Sequence, residues 1–239
     1  MRVAIVTDIH GNLTAFEAVL SDLRRMSPDL ILHGGDLADA GSSPVEIVDE
    51  IRALGWAGVY GNTDEMLFQP QSLEDFAGNP PRMPELFGAV RRSAAWTRDK
   101  LGDERIAWLS TLPLVHIEPP VALVHASPES AWRSPTQNAT ETELDTIYSP
   151  LGQPLAVYGH IHHPFIRPAA RISVMNAGSV SLSYDGDPRA SYLLIDDSTP
   201  QIRRVEYDLD REVKALLGSA MPHSEWIARS LHAASPQML

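Results

Sequence analysis

The side chains best suited to holding metal ions in this chain stand directly after short apolar runs. Asp8 and His10 follow Val3-Ala4-Ile5-Val6 as Asp-x-His, and Asp36 follows Leu30-Ile31-Leu32 within His33-Gly34-Gly35-Asp36. Asn62 follows Ala57-Gly58-Val59-Tyr60 within Gly61-Asn62-Thr63-Asp64. His125 follows Val121-Ala122-Leu123-Val124, and His160 and His162 follow Leu155-Ala156-Val157-Tyr158 as Gly-His-x-His. Side chains at the carboxyl ends of neighbouring strands converge on one crevice of an open α/β sheet. Adjacent glycines let the backbone turn sharply enough to aim them at a shared centre. Mixed imidazole and carboxylate donors suit Mn²⁺, Fe, Zn²⁺, Ni²⁺ or Co²⁺ better than Ca²⁺ or Mg²⁺ alone. Mn²⁺ is the first expectation and Mg²⁺ stays open. Two aspartates, four histidines and one asparagine exceed what one transition metal takes. Two ions sharing a bridge are therefore expected, roughly 3.5–4 Å apart as in other two-metal hydrolases.

Each block also has a plain reading. Gly-Asn alone is a common turn, and Asp-x-His is often a turn or cap. Asp64 can orient a neighbouring ligand or cap the segment that follows. Asn12 can contact a phosphate or cap the first helix. His33 can reach the substrate or bond to backbone at a strand end, and His163 can line the site or merely pack. Trp132, beside Arg133, can stack a nucleobase or join the core.

The elements that must position these groups read as strand–helix–strand–helix–strand over the first third, which implies a parallel, right-handed arrangement. Leu13, Phe16, Val19, Leu20, Leu23 and Met26 are spaced as one helix face. Ser43-Pro44-Val45-Glu46 carries the signature of a capping box with proline at the first helical position. The stretch from Gln69 to Pro84, rich in Pro, Gly and Asn, reads as loop. A helical excursion around 66–115 is expected, acting as a lid over the site or as a buttress. A second excursion runs from Ser127 to Pro154, with a helix that Thr140 and Glu143 can cap. Further strands are expected at Ile172–Met175 and Tyr192–Ile195, and a last helix around 222–234. With no interdomain linker or repeat in view, residues 1–239 read as one domain.

Composition bounds the partners. A hydrophobic fraction of 44% and a charged fraction of 21% are ordinary for a globular chain. A net charge of −12 without a long Lys/Arg cluster argues against nucleic acid held along its backbone, leaving a small nucleotide as the nearest such ligand. No apolar run reaches the length of a membrane span. The opening strand leaves no room for a leader, and cysteine is absent, so cytoplasm is the default compartment. Homo-oligomerisation stays open.

Taken together, Asp8-x-His10, Gly35-Asp36, Gly61-Asn62-x-Asp64, His125 and Gly159-His160-x-His162 resemble the calcineurin-like metallophosphoesterase superfamily in order and spacing. Asn176-Ala177-Gly178-Ser179 looks like that family's post-site loop. The resemblance implies an α/β (α+β) fold: a four-layer αββα sandwich of two mixed β-sheets flanked by helices. It implies that Asp8, His10 and His162 hold one metal, Asn62, His125 and His160 the other, with Asp36 bridging. Ser/Thr protein phosphatases of the family read Gly-Asn-His, the histidine donating a proton or touching phosphate. Here Thr63 stands at that position, and its hydroxyl is no general acid near neutral pH, so His33, Asp64 or a metal-bound water are the candidate proton donors. Their Gly-Asp-x-Val-Asp-Arg-Gly block is replaced by Gly35-Asp36-Leu37-Ala38-Asp39-Ala40-Gly41. The chain is thus similar to the small bacterial phosphodiesterase branch. The expectation is hydrolysis of small phosphodiesters or cyclic nucleotides by a metal-bridging hydroxide. Asp36, Asn62, Asp64 and His33 would serve the reaction, and Asn12, Thr63, His163 and Trp132 the substrate. Rival readings are a nucleotide or dinucleoside-polyphosphate hydrolase, a phosphomonoesterase, and a non-catalytic protein-binding scaffold.

Overall fold

The computed structural model describes residues 1–78 and 83–239. Val3 and Ile5 on one side of the first strand, and Ala4 and Val6 on the other, are all buried, which is why its sequence shows no polar alternation. That strand, β1 (Arg2–Val6), pairs in parallel with β2 (Leu30–His33), which pairs in parallel with β3 (Ala57–Gly58). On its other side β1 meets β9 (Ala190–Asp196), which pairs with β10 (Thr199–Val205), both contacts antiparallel. The second sheet runs β4 (Val115–Glu118), β5 (Val121–Val124), β6 (Leu155–Tyr158), β8 (Ser173–Asn176), β7 (Phe165–Pro168). Its three inner strands are parallel and its edges antiparallel.

Val3, Ile5, Leu32 and Leu193 of one sheet meet Leu123, Val157 and Met175 of the other, forming the dry interior of a sandwich. Helices α1 (Leu13–Met26) and α2 (Pro44–Leu54) cover the outer face of the first sheet. So do α3 (Asn62–Phe68), α4 (Gln71–Ala77) and α5 (Pro84–Leu109). Helix α6 (Glu141–Tyr148) covers the outer face of the second through Leu144 and Tyr148. Helices α7 (Leu209–Gly218) and α8 (Ser224–Ala233) close one end over Leu182. The result is the four-layer sandwich of two mixed sheets flanked by helices.

Two local expectations differ from the structure. Part of the stretch expected as loop, Gln71–Ala77, is α4, because Leu73 and Ala77 find buried places against the core, and such packing outweighs local propensity. Residues 79–82 of that stretch lie outside the described residues. Ser43 makes no side-chain cap on α2; its hydroxyl lies 3.2 Å from that of Ser42, so only the proline half of the start signal operates. Leu67, Leu73, Phe87, Leu101 and Leu109 of the 66–115 excursion share one cluster with Val6, Ile9 and Leu37. Of the two readings of that excursion, this packing into the core supports the buttress. By contrast, Thr140 caps α6 as expected, accepting the Glu143 N–H at 3.2 Å.

Candidate metal centre

Ends of β1, β2, β5 and β6 and the start of α3 bring Asp8, His10, Asp36, Asn62, His125, His160 and His162 together. Single ligand atoms from Asp8, His10, Asp36 and His162 all lie within 4.8 Å of one another. His162 Nε2 is 3.1 Å and His10 Nε2 3.9 Å from Asp8 Oδ1. Asp36 Oδ2 sits between the two halves, 3.6 Å from His10 Nε2 and 3.5 Å from His125 Nε2. On the far side, Asn62 Oδ1 is 3.0 Å from His125 Nε2 and 2.8 Å from His160 Nδ1.

Ring protonation decides what this cluster can hold. His10 Nδ1 donates to the Asp39 carbonyl at 2.9 Å, His125 Nδ1 to that of Gly34 at 2.8 Å, and His162 Nδ1 to that of Leu182. Each ring therefore presents a bare Nε2 lone pair to the cluster. His10 and His162 Nε2 are only 3.3 Å apart, so two lone pairs face each other beside two buried carboxylates. Such an arrangement is repulsive until a cation stands within it. The donor set therefore fits divalent metal ions.

Burial favours the neutral rings. It pushes His10 down, and it pushes His160 down to about 4 with help from the neighbouring His125. At His125 burial also acts downward, but Asp36 and Asp8 outweigh it and hold the ring up. At Asp8 burial acts upward, and His162, His125 and His10 overcome it to hold the carboxyl well below the usual range.

The backbone is strained where the ligands sit. Asp8, His10, Asp36, His160 and His162 have φ of 55°, 48°, 52°, 64° and 55°, in the left-handed region where L-residues cost about 1–2 kcal/mol each. Clustering of such strain marks a functional site. Two glycines permit the close approach: a Cβ on Gly61 would overlap the Asp36 carboxylate, and one on Gly159 would overlap that of Asp8.

The remaining expected residues divide. Asp64 is buried, and its two oxygens accept from the amides of Asp36 (2.8 Å), Gly61 (2.9 Å) and Leu37 (3.0 Å). It ties the Asp36 and Leu37 amides of the loop after β2 to the first turn of α3. Thr63 contributes its backbone N–H, 2.9 Å from Asp36 Oδ1, while Oδ2 faces His10 and His125. Asn12 is the N-cap of α1, its Oδ1 accepting from Ala15 at 2.8 Å and its amide donating to Ser181. His33 pairs in register with Val6 and shares its face, turned outward to Trp108 of α5 at 6.5 Å between rings. Burial lowers it to about 3, far from a proton donor's range. The His33 expectation fails because strand alternation, with period two, aims that side chain at the helix layer. His163 is half-buried beside His162. Trp132 donates its indole N–H to Glu65 Oε2 at 2.7 Å and lies beside Phe76.

Several supporting groups surround these residues, of which Thr7, Tyr184 and Asp39 had no role in the sequence reading while Ser179 belongs to the expected post-site loop. Thr7 Oγ1 donates to Asp8 Oδ2 at 2.6 Å, and Ser179 Oγ to the Asp8 carbonyl at 2.9 Å. Tyr184 stacks on His162, ring centroids 4.7 Å apart. Asp39, whose carbonyl holds His10, is itself held by Ser93 (2.9 Å) and Thr97 (2.6 Å) of α5. The sequence separations run to more than 20 residues for Tyr184 and 50 for Asp39, beyond any local signal. Only adjacency to a ligand could have singled out Thr7.

Fold and site together define a phosphoesterase. Residues 1–199 match the calcineurin-like phosphoesterase superfamily domain, and the chain belongs to that family, whose members are divalent-metal-dependent phosphoric ester hydrolases. A protein of Methanocaldococcus jannaschii named as uncharacterized is 29% identical over 252 residues, covering 96% of each chain. A symmetrical bis(5'-nucleosyl)-tetraphosphatase of Methylococcus capsulatus is 34% identical over 152 residues, which span 62% of this chain and 50% of that relative. The crystal structure of a metallophosphoesterase from Sphaerobacter thermophilus matches with a TM-score of 0.79 and 28% identity, over 98% of this chain and 99% of that one. A hypothetical protein from Pyrococcus horikoshii has the same fold, with a TM-score of 0.85 at 16% identity over 99% of each chain. Among the described residues, no helix is long and apolar enough to cross a membrane.

Proposed function

We propose that the protein is a two-metal phosphodiesterase acting on small phosphodiesters, nucleotide esters among them. The observation that carries this reading is the position of one oxygen, Asp36 Oδ2, between His10 Nε2 at 3.6 Å and His125 Nε2 at 3.5 Å. Asp8, His10, His162 and Asp36 would hold one cation, and Asp36, Asn62, His125 and His160 the second. Two such cations, when bound, neutralise phosphoryl oxygens and make water nucleophilic near neutral pH.

The chain supplies the rest. Backbone carbonyls of Asp39, Gly34 and Leu182 fix three rings in the ligating tautomer. The Thr63 amide turns one Asp36 oxygen away and leaves the other in the cleft. Neither His33, facing α5, nor Asp64, spent on three amides, can protonate a leaving group. Substrates whose leaving group departs without a strong acid are therefore favoured, which supports diesters and activated esters over alkyl monoesters. Mn²⁺ is our first choice of metal and the cytoplasm our choice of compartment.

The test is hydrolysis of bis(p-nitrophenyl) phosphate by chelator-stripped protein reloaded with Mn²⁺, with Asp36→Asn as the blank. Metal-dependent turnover, lost in the variant, is expected. Faster hydrolysis of an alkyl monoester than of the diester would overturn the reading, and protein that binds no metal at micromolar concentrations would favour a scaffold. A second reading, hydrolysis of dinucleoside polyphosphates, is favoured by the tetraphosphatase of Methylococcus capsulatus among the relatives. A panel of nucleoside diesters and dinucleoside polyphosphates separates the two.

A further inference from the structure

A cavity of about 250 Å³ lies against α3 and α4, lined by Tyr60, Glu65, Ser72, Asp75, Phe76 and Trp132 among others, none of them a candidate metal ligand. Its place is set by α3. Asn62 opens that helix, and Glu65 stands three residues on, so the two share one helix face about 5–6 Å apart at Cβ. The cavity's other wall is the loop following His125, which carries Trp132. A group held here sits one helical turn from a metal ligand. The volume falls below the roughly 300 Å³ at which pockets for whole small-molecule ligands begin, so the cavity suits one part of a substrate.

The lining says which part. Glu65, Asp75 and Glu129 face a single cation, Arg133, so a phosphate is disfavoured and N–H donors are favoured. Trp132 and Phe76 lie with ring centroids 4.9 Å apart and planes at 33°, a stack that another planar ring can extend. Glu65 gives Oε2 to the Trp132 indole N–H and leaves Oε1 as an acceptor. Ser72, 8% exposed, has a buried hydroxyl without a hydrogen-bond partner among the described residues. Stacking surface and acceptors together match an amino-bearing nucleobase, whose exocyclic amine is the group that carboxylates read.

We infer that this cavity is a base subsite that binds the amino-bearing base of a nucleoside phosphoester, with Trp132 as its stacking platform and Glu65 as its reader. The inference rests on the phosphodiesterase reading for its catalytic meaning, but the binding it requires is separable. Adenosine and purine riboside differ only by the exocyclic amine, and both can be titrated into Mn²⁺-loaded protein while indole fluorescence is followed. Adenosine is expected to bind about tenfold more tightly. Glu65→Gln keeps an oxygen for the Trp132 indole but sets an NH₂ donor against the amine, so it should abolish that preference. Trp132→Ala should weaken both ligands.

Turnover gives the second arm. The kcat/KM of p-nitrophenyl 5'-adenylate is expected to fall about tenfold more in Trp132→Ala than that of bis(p-nitrophenyl) phosphate. Equal affinity for adenosine and purine riboside in the wild type would overturn the inference, as would tighter binding of choline than of adenosine. An unchanged turnover ratio in Trp132→Ala, with both diesters cleaved, would overturn it as well. If the wild type cleaves neither diester the phosphodiesterase reading fails, and the adenosine titration still decides the subsite by itself.

Discussion

Asp8 illustrates how much of a metal ligand's behaviour is set by groups that touch no metal. One of its oxygens takes the Thr7 hydroxyl at 2.6 Å, and the other faces His162 Nε2 at 3.1 Å. Thr7→Val removes the hydroxyl while keeping the shape of the side chain, so the carboxylate loses the contact that sets its rotation. Loss of such an outer contact costs metal affinity about 10–100-fold. Mn²⁺ titration calorimetry on Thr7→Val should show that loss, with the far-UV spectrum of the fold unchanged; wild-type affinity in the variant would remove Thr7 from the site. The seven candidate ligands could be picked out because residue type and position after an apolar run are both local properties. The roles of Asn12 and His33 could not. A cap and a substrate contact use the same amide, and which face a strand-end histidine takes depends on the strand's register with Val6.

At the scale of elements, the site is held by ties that run backward from helices to loops. Asp64, in the first turn of α3, accepts three amides, two of them from Asp36 and Leu37 on the loop after β2. Burial and the nearby Asp36 carboxylate push its own carboxyl up to about 7, and the Gly61 and Leu37 amides pull against that. Asp64→Asn places an NH₂ where an amide needs an acceptor, and a lost buried bond to a charged group costs about 1.5–3 kcal/mol. Urea unfolding should register that loss, and bound Mn²⁺ should fall with it because Asp36 is freed. Unchanged metal content would mean that the loop holds Asp36 unaided. The strands carrying ligands were readable as apolar runs, whereas β4, β7 and β10 were not singled out, being half-exposed and polar in part. Helix α4 was hidden by the Pro and Gly around it, since its reason for existing is a remote core.

A second tie joins α1 to the sheet edge and governs the acid side of stability. Asp22 of α1 is buried, and burial alone would raise its carboxyl; Tyr192 of β9, Arg25 and Arg203 of β10 outweigh that and hold it below the usual range. The Tyr192 hydroxyl donates at 2.7 Å and Arg25 at 2.8 Å. Because the folded pKa lies below the unfolded value of about 3.9, the unfolded chain binds more protons in that interval. The stabilisation is complete above the unfolded value and is lost as pH falls through the folded one. Asp22→Asn should therefore cost more stability at pH 7 than at pH 3, measured by denaturant midpoints at both. An equal loss at both pH values would mean that charge plays no part.

For the molecule as a whole, the four layers were legible through the family resemblance, because short doubly buried strands cannot by themselves reveal that there are two sheets. What local reasoning could not reach is the energetic consequence of the site. Two buried carboxylates, facing ring lone pairs and five left-handed ligand residues all disfavour the metal-free folded state. Metal that binds the folded chain alone adds RT ln(1 + [L]/Kd), or about 2.7 kcal/mol at a hundredfold excess over Kd. In a chain of this size each 1 kcal/mol moves the midpoint by about 2–4 °C. Calorimetry should therefore show one transition, if residues 1–239 unfold as the single unit we propose, rising by roughly 5–10 °C on Mn²⁺ saturation. Zn²⁺ should act in the same direction, since imidazole and carboxylate donors suit both ions. Asp36→Asn relieves part of the carboxylate repulsion while removing the bridge. Its metal-free midpoint should match or exceed that of the wild type, while its response to Mn²⁺ shrinks. A metal-free variant well below the wild type would place the value of Asp36 in its hydrogen bond to Thr63 and take the bridging charge out of the account.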